Sequence, residues 1–119
     1  MMQPDAIRLR HMLEAAEKCV DLWRDKLYGD VLRDETAALA TIRLLEVVGE
    51  AAKNVSSEIR SRHPEISWRE IAGTRDRLIH GYFDVDYEVI WSIITIDLPV
   101  LVRQLEQILG NDPRNAGEL

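Results

Sequence analysis

The stretch LLEVVGEAA (residues 44–52) lies at the centre of a longer pattern in which apolar residues recur at helical spacing. The pattern runs from about Asp34 to Arg60 and predicts one amphipathic helix. Its buried side is formed by Ala37, Thr41, Leu44/Leu45, Val48, Ala51/Ala52 and Val55. Glycine costs about 1 kcal/mol relative to alanine inside a helix. Gly49 is therefore better explained by the close approach of another helix than by helix propensity.

Helical patterns also precede and follow this stretch. The first begins with Asp5 as a plausible N-cap and continues through Leu9, Met12/Leu13, Ala16, Cys19/Val20, Trp23 and Leu27. After a polar break at Gly29 and Asp30, the central helix follows. The last pattern begins near Asp84 or Asp86 and runs to Leu109. Pro99 must kink or divide that helix, with Asp97 available to cap a restart.

Residues that typically end or start helices lie between the central and last patterns and predict a further helix. His63-Pro64 ends the central helix, because the residue before proline is pushed out of the α region. Ser67 and Glu70 have capping-box spacing, so the third helix should start near Trp68 and carry residues 75–80 on its last turns. Gly81 suits a left-handed C-terminal cap, which places His80 and Tyr82 at a helix end. We therefore predict an all-α fold, an antiparallel bundle of four to five helices.

Composition limits the function classes without selecting one. The 119 residues suit a single domain over residues 1–110, followed by a polar, frayed tail over residues 111–119. A net charge of −6 counts against a protein that coats nucleic acid. Five arginines nevertheless fall within residues 60–77, namely Arg60, Arg62, Arg69, Arg75 and Arg77. Solvated helix-face charges are the simpler interpretation of Arg60, Arg62 and Arg69, and the sequence leaves RNA contacts by these arginines and Arg77 open.

Several other chemistries lack their sequence signatures. The single cysteine, Cys19, cannot form an intrachain disulfide and indicates a reducing cytosol, so we expect a cytoplasmic protein. The N-terminus lacks an apolar signal core, and the longest apolar stretch is too short to span a bilayer. Only the reversed pair His11-x-x-Glu14 approaches a di-metal pattern, and there is no phosphate-binding glycine loop. We therefore expect no metal, no cofactor and no membrane role.

The segment RDRLIHGY (residues 75–82) is the part of the chain that resembles a reaction site. Arg75 is a permanently charged fork for phosphate oxygens, and His80 can move a proton in either direction near neutral pH. Residues five apart on an ideal helix point about 140° away from each other, so one helix cannot aim both at one phosphate. Either the helix loosens before His80, or a two-fold partner completes the site. Asp76, four residues before His80, would share its helical face and hold the imidazole in one tautomer.

The motif Arg-x4-His-x-Tyr, together with residues 44–52, PEISWREI (residues 64–71) and DVDYEVIW (residues 84–91), resembles the HepT-like branch of the HEPN superfamily. The resemblance covers roughly residues 5 to 110. It implies a small all-helical, two-fold dimer with two motifs facing each other across the interface. It also implies a metal-independent endoribonuclease, the toxin of a type II/VII-like toxin–antitoxin pair. Its partner would be a nucleotidyltransferase antitoxin that adenylylates the motif tyrosine, which is Tyr82 here.

On this interpretation Arg75 and His80 are the catalytic residues, while Asp76 and Tyr82 have supporting roles. His80 would act as base or acid, and Arg75 would stabilise the charge that develops on the phosphate. Tyr82 would position the phosphate or stack a base. The alternative is a non-catalytic subunit that holds a nucleotide with the same residues and recruits or regulates a nucleotidyltransferase.

Overall fold

The computed structural model describes residues 1, 3–81 and 84–110, and the fold is mostly helical (79%). Within these residues lie eight α-helices, one π-helical turn and two very short strands. The helices are α1 Gln3–Leu22, α2 Tyr28–Arg33, α3 Glu35–Lys53, α4 Ser57–Arg62, α5 Trp68–Ala72, α6 Thr74–Leu78, α7 Tyr87–Ser92 and α8 Leu98–Gly110. The π-helical turn is Ile93–Asp97, and the strands are β1 Ile79–His80 and β2 Asp84–Val85.

The three longest helices form the frame of the molecule, a name used below for α1, α3 and α8. α1 packs against both α3 and α8. Their apolar stripes meet in a core in which Leu9, Met12, Leu45 and Leu105 are fully buried. Burying one such side chain is worth about 1.5–3 kcal/mol, so the apolar periodicity of the sequence is the main source of this arrangement. The all-α prediction is confirmed only as far as a mostly helical fold, because the described residues form eight α-helices and two short strands where four to five helices were predicted.

The N-terminal helix differs from the prediction at both ends. α1 starts at Gln3, so Asp5 lies inside the helix and is not its N-cap. Asp5 is buried, and its carboxylate accepts hydrogen bonds from the Ser56 backbone N–H and the Ser56 hydroxyl, both at 2.8 Å. At the other end α1 stops at Leu22, and Asp25 has a left-handed φ of 61°. Leu27 therefore leaves the apolar stripe and is 74% exposed, contrary to prediction.

The predicted helix from Asp34 to Arg60 is two helices. α3 begins after Asp34, as the sequence indicated, and the Asp34 side chain accepts from the Ala37 N–H. It ends at Lys53, and α4 begins at Ser57 with the Ser56 hydroxyl as its N-cap acceptor. Because Asp5 also binds Ser56, a tertiary contact stabilises this break. The polar segment before α3 is not a plain break either, since it forms α2.

Gly49 lies where α3 crosses α5, as the sequence predicted. A Cβ at this position would be 2.9 Å from the Ile71 carbonyl oxygen, a distance that real Cβ atoms essentially never show. Glycine is therefore required by the spacing of the two backbones. The close approach brings α5 and α6 against the middle of the frame.

Residues 87–110 form one continuous helical path. The last helix begins near Asp86, as expected, and the structure adds that Asp86 is the N-cap of α7 and accepts from the Val89 N–H. Pro99 does not divide the path, because the π-helical turn directly before α8 accommodates a residue that lacks an N–H. Asp97 therefore does not cap a restart. The predicted tail over residues 111–119 lies outside the described residues, and no helix among those described is long and apolar enough to cross a membrane.

Candidate active site

Two short helices, α5 and α6, lead into the motif, whereas the sequence predicted one helix. α5 and α6 are separated by Gly73, and the side chain of Ser67 makes no capping hydrogen bond, so the capping-box prediction is wrong. Thr74 stabilises the break: it is buried, and its hydroxyl donates to the Ile71 carbonyl at 2.7 Å. A side-chain hydroxyl that hydrogen-bonds a nearby backbone carbonyl competes with the regular hydrogen bonds of a helix, which explains why the helix stops and restarts here.

After α6 the chain becomes extended and forms a small antiparallel hairpin. Its register pairs Ile79 with Val85 and His80 with Asp84, and the Asp86 N–H donates to the Leu78 carbonyl at 2.8 Å. Gly81 has the left-handed backbone that we expected, with φ 79°, but it belongs to a hairpin turn and not to a helix cap. The hairpin corrects the purely helical prediction, and it moves His80 from a helix end to a strand.

His80 faces a carboxylate from the start of α7. Its Nε2 lies 3.6 Å from Asp86 Oδ2, and 59% of the His80 side chain remains exposed. This distance exceeds that of a hydrogen bond, so the attraction is electrostatic and is strongest when the imidazole is protonated. The second oxygen of the same carboxylate, Oδ1, caps α7. Asp86 therefore couples the position of the imidazole to the start of a helix.

The sequence predicted a different carboxylate neighbour for His80, namely Asp76. It placed Asp76 on the same helical face, but α6 ends at Leu78 and that face does not reach His80. Asp86 was identified only as a helix start. Directly paired residues, and residues two apart on a strand, share a face, so the register places His80, Asp84 and Asp86 on one side. This shared face can be predicted only if the turn at Gly81 is known, and the sequence predicted a helix cap at Gly81 instead.

Arg75 lies on a different surface from Arg77. Arg75 is exposed and lines a cleft between α3 and the α5–α6 pair, together with Gly49 and Lys53. The guanidinium of Arg77 lies 4.0 Å from the Asp97 carboxylate, which links α6 to the π-helical turn. Across residues 1, 3–81 and 84–110, no hydrogen bond or ion pair joins Arg75 to His80.

Of the two solutions to the helical geometry, loosening before His80 is present in this chain. α6 ends two residues before His80, which leaves the imidazole on a strand. The two-fold partner stays a prediction, as do the individual roles of Arg75, Asp76, His80 and Tyr82. Tyr82 lies outside the described residues.

Two other groups that the sequence singled out do not add to the site. Cys19 is fully buried, and burial raises the pKa of its thiol to about 12, so it is not a nucleophile near neutral pH. Arg62 is a helix-face charge, as interpreted, and pairs with Glu58 at 2.8 Å. Among the residues with described positions, no group of three or more His, Cys, Asp or Glu side chains is arranged to hold a metal ion.

Comparison with known proteins connects this geometry to a family. The HepT-like family model, described as "Ribonuclease HepT-like", matches residues 12–108. The chain is 40% identical over 104 residues to "Putative RNase TTE0752" of Caldanaerobacter subterraneus subsp. tengcongensis, covering 87% of this chain and 93% of that protein. It is 41% identical over 100 residues to "Probable ribonuclease HepT" of Thermococcus cleftensis, covering 84% and 91%. No solved structure matches the chain.

The matched region contains the whole motif and most of the frame, with residues 3–11 of α1 lying before it. Residues 12–108 include α3, the helices α5 and α6, the hairpin and the capping Asp86. The match therefore spans the elements that position the candidate active site as well as those that form the core. This chain belongs to the HepT-like family of ribonucleases.

Proposed function

We propose that the protein is an endoribonuclease that cuts RNA without a metal, with His80 moving the proton and Arg75 binding the phosphate. The observation that carries the proposal is the position of His80: it is held on a hairpin, largely exposed, with a carboxylate 3.6 Å from one ring nitrogen. An exposed imidazole beside a carboxylate is suited to accept and return a proton. Membership of a ribonuclease family supports the same reaction.

In the proposed reaction the ribose 2′-oxygen attacks the adjacent phosphorus and the 5′-oxygen leaves. Asp86 attracts a proton on Nε2 of His80, which leaves Nδ1 as the nitrogen that takes the 2′-hydroxyl proton. The 5′-oxygen receives a proton as its bond to phosphorus breaks, and the product ends in a 2′,3′-cyclic phosphate. The guanidinium of Arg75 stabilises the extra negative charge on the phosphate oxygens.

A two-fold dimer is part of the proposal, because one imidazole cannot be base and acid in the same step. His80 of a second protomer would protonate the leaving oxygen. Exposed apolar side chains beside α6 support such a contact: Ile96 is 63% exposed and Val100 43% exposed, one helical turn apart. They line a cleft that also contains Arg77 and Asp97. Exposed apolar neighbours of this kind are typical of interfaces.

Control of the enzyme is assigned in the proposal to Tyr82, through adenylylation by a nucleotidyltransferase antitoxin. The neighbouring Gly81 is exposed at the hairpin turn, which supports access to a second enzyme. An adenylyl group would add phosphate charge next to the motif and compete with RNA for the guanidinium of Arg75. Inhibition then needs no change of fold.

The proposal is tested by RNA cleavage with four proteins: wild type, Arg75→Ala, His80→Ala and Arg103→Ala. Arg103 is a matched control, an exposed arginine in a cleft with Glu17, Asp21 and Glu106. We expect His80→Ala to lose roughly 10²–10⁴-fold in rate and Arg75→Ala a comparable amount, while Arg103→Ala cleaves as wild type does. Wild-type products should end in 2′,3′-cyclic phosphate, with and without EDTA.

Three outcomes would contradict the proposal. Cleavage that EDTA abolishes, with 5′-phosphate ends, would indicate a metal-dependent nuclease. Full activity of His80→Ala would remove the imidazole from the mechanism. Intact RNA, together with tight binding to a nucleotidyltransferase, would favour the non-catalytic binding subunit instead.

A further inference from the structure

A cleft with a basic lining lies between α1 and α3, away from His80. α1 contributes Arg8 and His11, and α3 contributes Arg43. Arg43 and His11 are exposed, and Arg8 is half-buried. The apolar Ile7 and Val47 also line the cleft. Apolar side chains lower the local dielectric constant and nearby cations attract negative charge, so a cleft with both is suited to binding a flexible anion.

This cleft adjoins the one that contains Arg75. Arg43 and Glu50 line both clefts, and they lie two helical turns apart on α3. The two clefts therefore lie on either side of one exposed ridge of α3, and Arg43 can be reached from both. On the far side of the ridge the second cleft contains Lys53 and the motif residue Arg75.

The charge balance of the two clefts is opposite to that of the whole chain. The side chains that line them include four permanent cations, one histidine and two carboxylates: Arg8, Arg43, Lys53, Arg75, His11, Glu46 and Glu50. The chain as a whole carries −6. Glu50 is partly neutralised by Lys53 at 3.8 Å, in an exposed pair of the kind that contributes little and exchanges readily. Within the described part of the chain, Arg8, Arg43 and Arg75 form no ion pair.

We infer that Arg8, His11, Arg43, Lys53 and Arg75, called the basic band below, bind the sugar–phosphate backbone of single-stranded RNA beyond the phosphate that is cut. The inference rests on the proposed function, because Arg75 marks the cut phosphate at one end of the band. Arg43 at the ridge is the central contact, and Arg8 with His11 holds the strand on the α1 side. An acidic protein with net charge −6 thereby confines its RNA affinity to one surface.

Two measurable properties follow from a band of separate phosphate contacts. Affinity should rise with RNA length, because a longer strand contacts more cations of the basic band than a short one does. Each contact also releases counterions, with a slope of about −0.7 in log K against log salt per contact for a single strand. Bases are not read by these contacts, so the effect should not depend on sequence.

The test uses the full chain carrying His80→Ala, so that RNA is bound without being cut. Fluorescein-labelled oligouridines of about 4 and about 12 nucleotides, within the range of known single-strand sites, are titrated by anisotropy at several salt concentrations. Into this background we introduce Arg43→Ala, Arg8→Ala and, as the matched control, Arg103→Ala. Light scattering of each variant reports its oligomeric state.

We expect Arg43→Ala and Arg8→Ala each to weaken binding of the longer RNA by roughly three- to tenfold, the range for one partly exposed charge-assisted contact. The double variant that combines Arg8→Ala and Arg43→Ala should make the slope of log K against log salt shallower by about 1.4. Arg103→Ala should keep both the affinity and the slope. Equal binding of the longer RNA by Arg43→Ala and Arg103→Ala would overturn the inference, and so would an altered oligomeric state of Arg43→Ala with unchanged RNA affinity.

Failure of this inference is distinguishable from failure of the proposed function. If wild type cleaves RNA and the Arg8/Arg43 variants bind as the control does, the basic band is wrong and the reaction stands. If wild type cleaves no RNA but binding depends on Arg43, the band stands and the catalytic proposal is wrong.

Discussion

The frame and the motif segment, the latter defined as residues 68–81 and 84–86, are built in opposite ways. The frame consists of helices of 20, 19 and 13 residues, and its core side chains are excluded from water. The motif segment consists of two five-residue helices and two two-residue strands, and Arg75 and His80 are exposed. Burial along whole helix faces positions the first region, whereas a few buried side chains and specific contacts position the second.

The difference shows how a small protein presents polar chemistry on a stable fold. An exposed charged side chain such as that of Arg75 is not positioned by its own burial, because burying a charge is costly. The motif segment is held instead by its buried residues Thr74 and Leu78, by the Gly49 crossing and by Asp86. A single substitution can remove each of these contacts, and the resulting loss of stability or of activity distinguishes the two regions.

The largest effect on stability is expected at the junction of the two regions, from Gly49→Ala. The new Cβ would meet the Ile71 carbonyl oxygen at 2.9 Å and force α5 away from α3. We expect the free energy of unfolding to fall by about 2–3 kcal/mol, measured by urea denaturation. Gly29→Ala is the control, because its Cβ would meet only the Arg33 guanidinium at 3.5 Å and beyond. It should be neutral or stabilising, and equal losses in the two variants would refute the close-packing argument.

A smaller loss is expected within the frame from Asp5→Ala. The change leaves the Ser56 N–H and hydroxyl without their acceptor at a partly buried site. This should cost about 2 kcal/mol, measured as a change in urea midpoint with an unchanged slope. Asp21→Ala removes an exposed carboxylate that pairs with Arg24 and should cost less than about 0.5 kcal/mol. An Asp5→Ala protein as stable as Asp21→Ala would show that the α1–α4 link is unimportant.

Asp86→Asn should act on the reaction and not on the fold. Asparagine caps a helix about as well as aspartate does, so α7 should persist while the charge beside His80 is lost. We expect kcat for RNA cleavage to fall roughly tenfold, about 1.4 kcal/mol in the barrier, with KM and the unfolding midpoint unchanged. Asp86→Ala loses the cap as well and should also be about 1 kcal/mol less stable. Unchanged kcat in Asp86→Asn would leave Asp86 with a structural role only.

The smallest effect near neutral pH should come from chemical modification of Cys19 in the frame. Burial raises its pKa from 9.0 to about 12, so at pH 8 only about one thiol in ten thousand is ionised. Iodoacetamide should fail to label the native protein and should label it in denaturant, as followed by intact mass. The unfolded thiol ionises first as pH rises, so the free energy of unfolding should fall between about pH 9 and 12. Rapid native labelling at pH 8 would indicate that α1 opens locally.

The frame could be predicted from the sequence because burial follows the apolar pattern. Leu9, Met12, Leu45 and Leu105 lie in the core as their helical spacing indicated. The helices α3 and α7 begin directly after Asp34 and Asp86, near the predicted starts, and His63-Pro64 ends α4. Each of these signals is local: a side chain within three residues of the atom it binds, or a ring that restricts its neighbour. Gly49 belongs with them, since a glycine at a helix centre lowers stability unless a neighbouring backbone needs the space.

The motif segment could not be predicted in the same way, because its structure depends on distant partners. One residue of the frame shows the same limit: Asp5 is of a residue type that often caps helices, but it binds Ser56, 51 residues away. Ser67 and Glu70 have capping-box spacing, yet no side-chain cap forms. His80 follows α6 closely enough to be interpreted as helical, but it pairs with Asp84 in a hairpin. Short elements carry too little local free energy to select one conformation, so tertiary contacts decide.

The sequence alone therefore determined that the chain is mostly helical, where its longest helices lie, and which residues are candidates for the chemistry. Those properties follow from side-chain type and spacing. The tertiary structure alone decided that His80 leaves the helix, that Asp86 becomes its carboxylate neighbour, and that Arg75 shares a cleft with Lys53 of α3. These relations join residues through the hairpin register and through the Gly49 crossing, and a distance across such a crossing depends on how backbones pack and not on sequence separation.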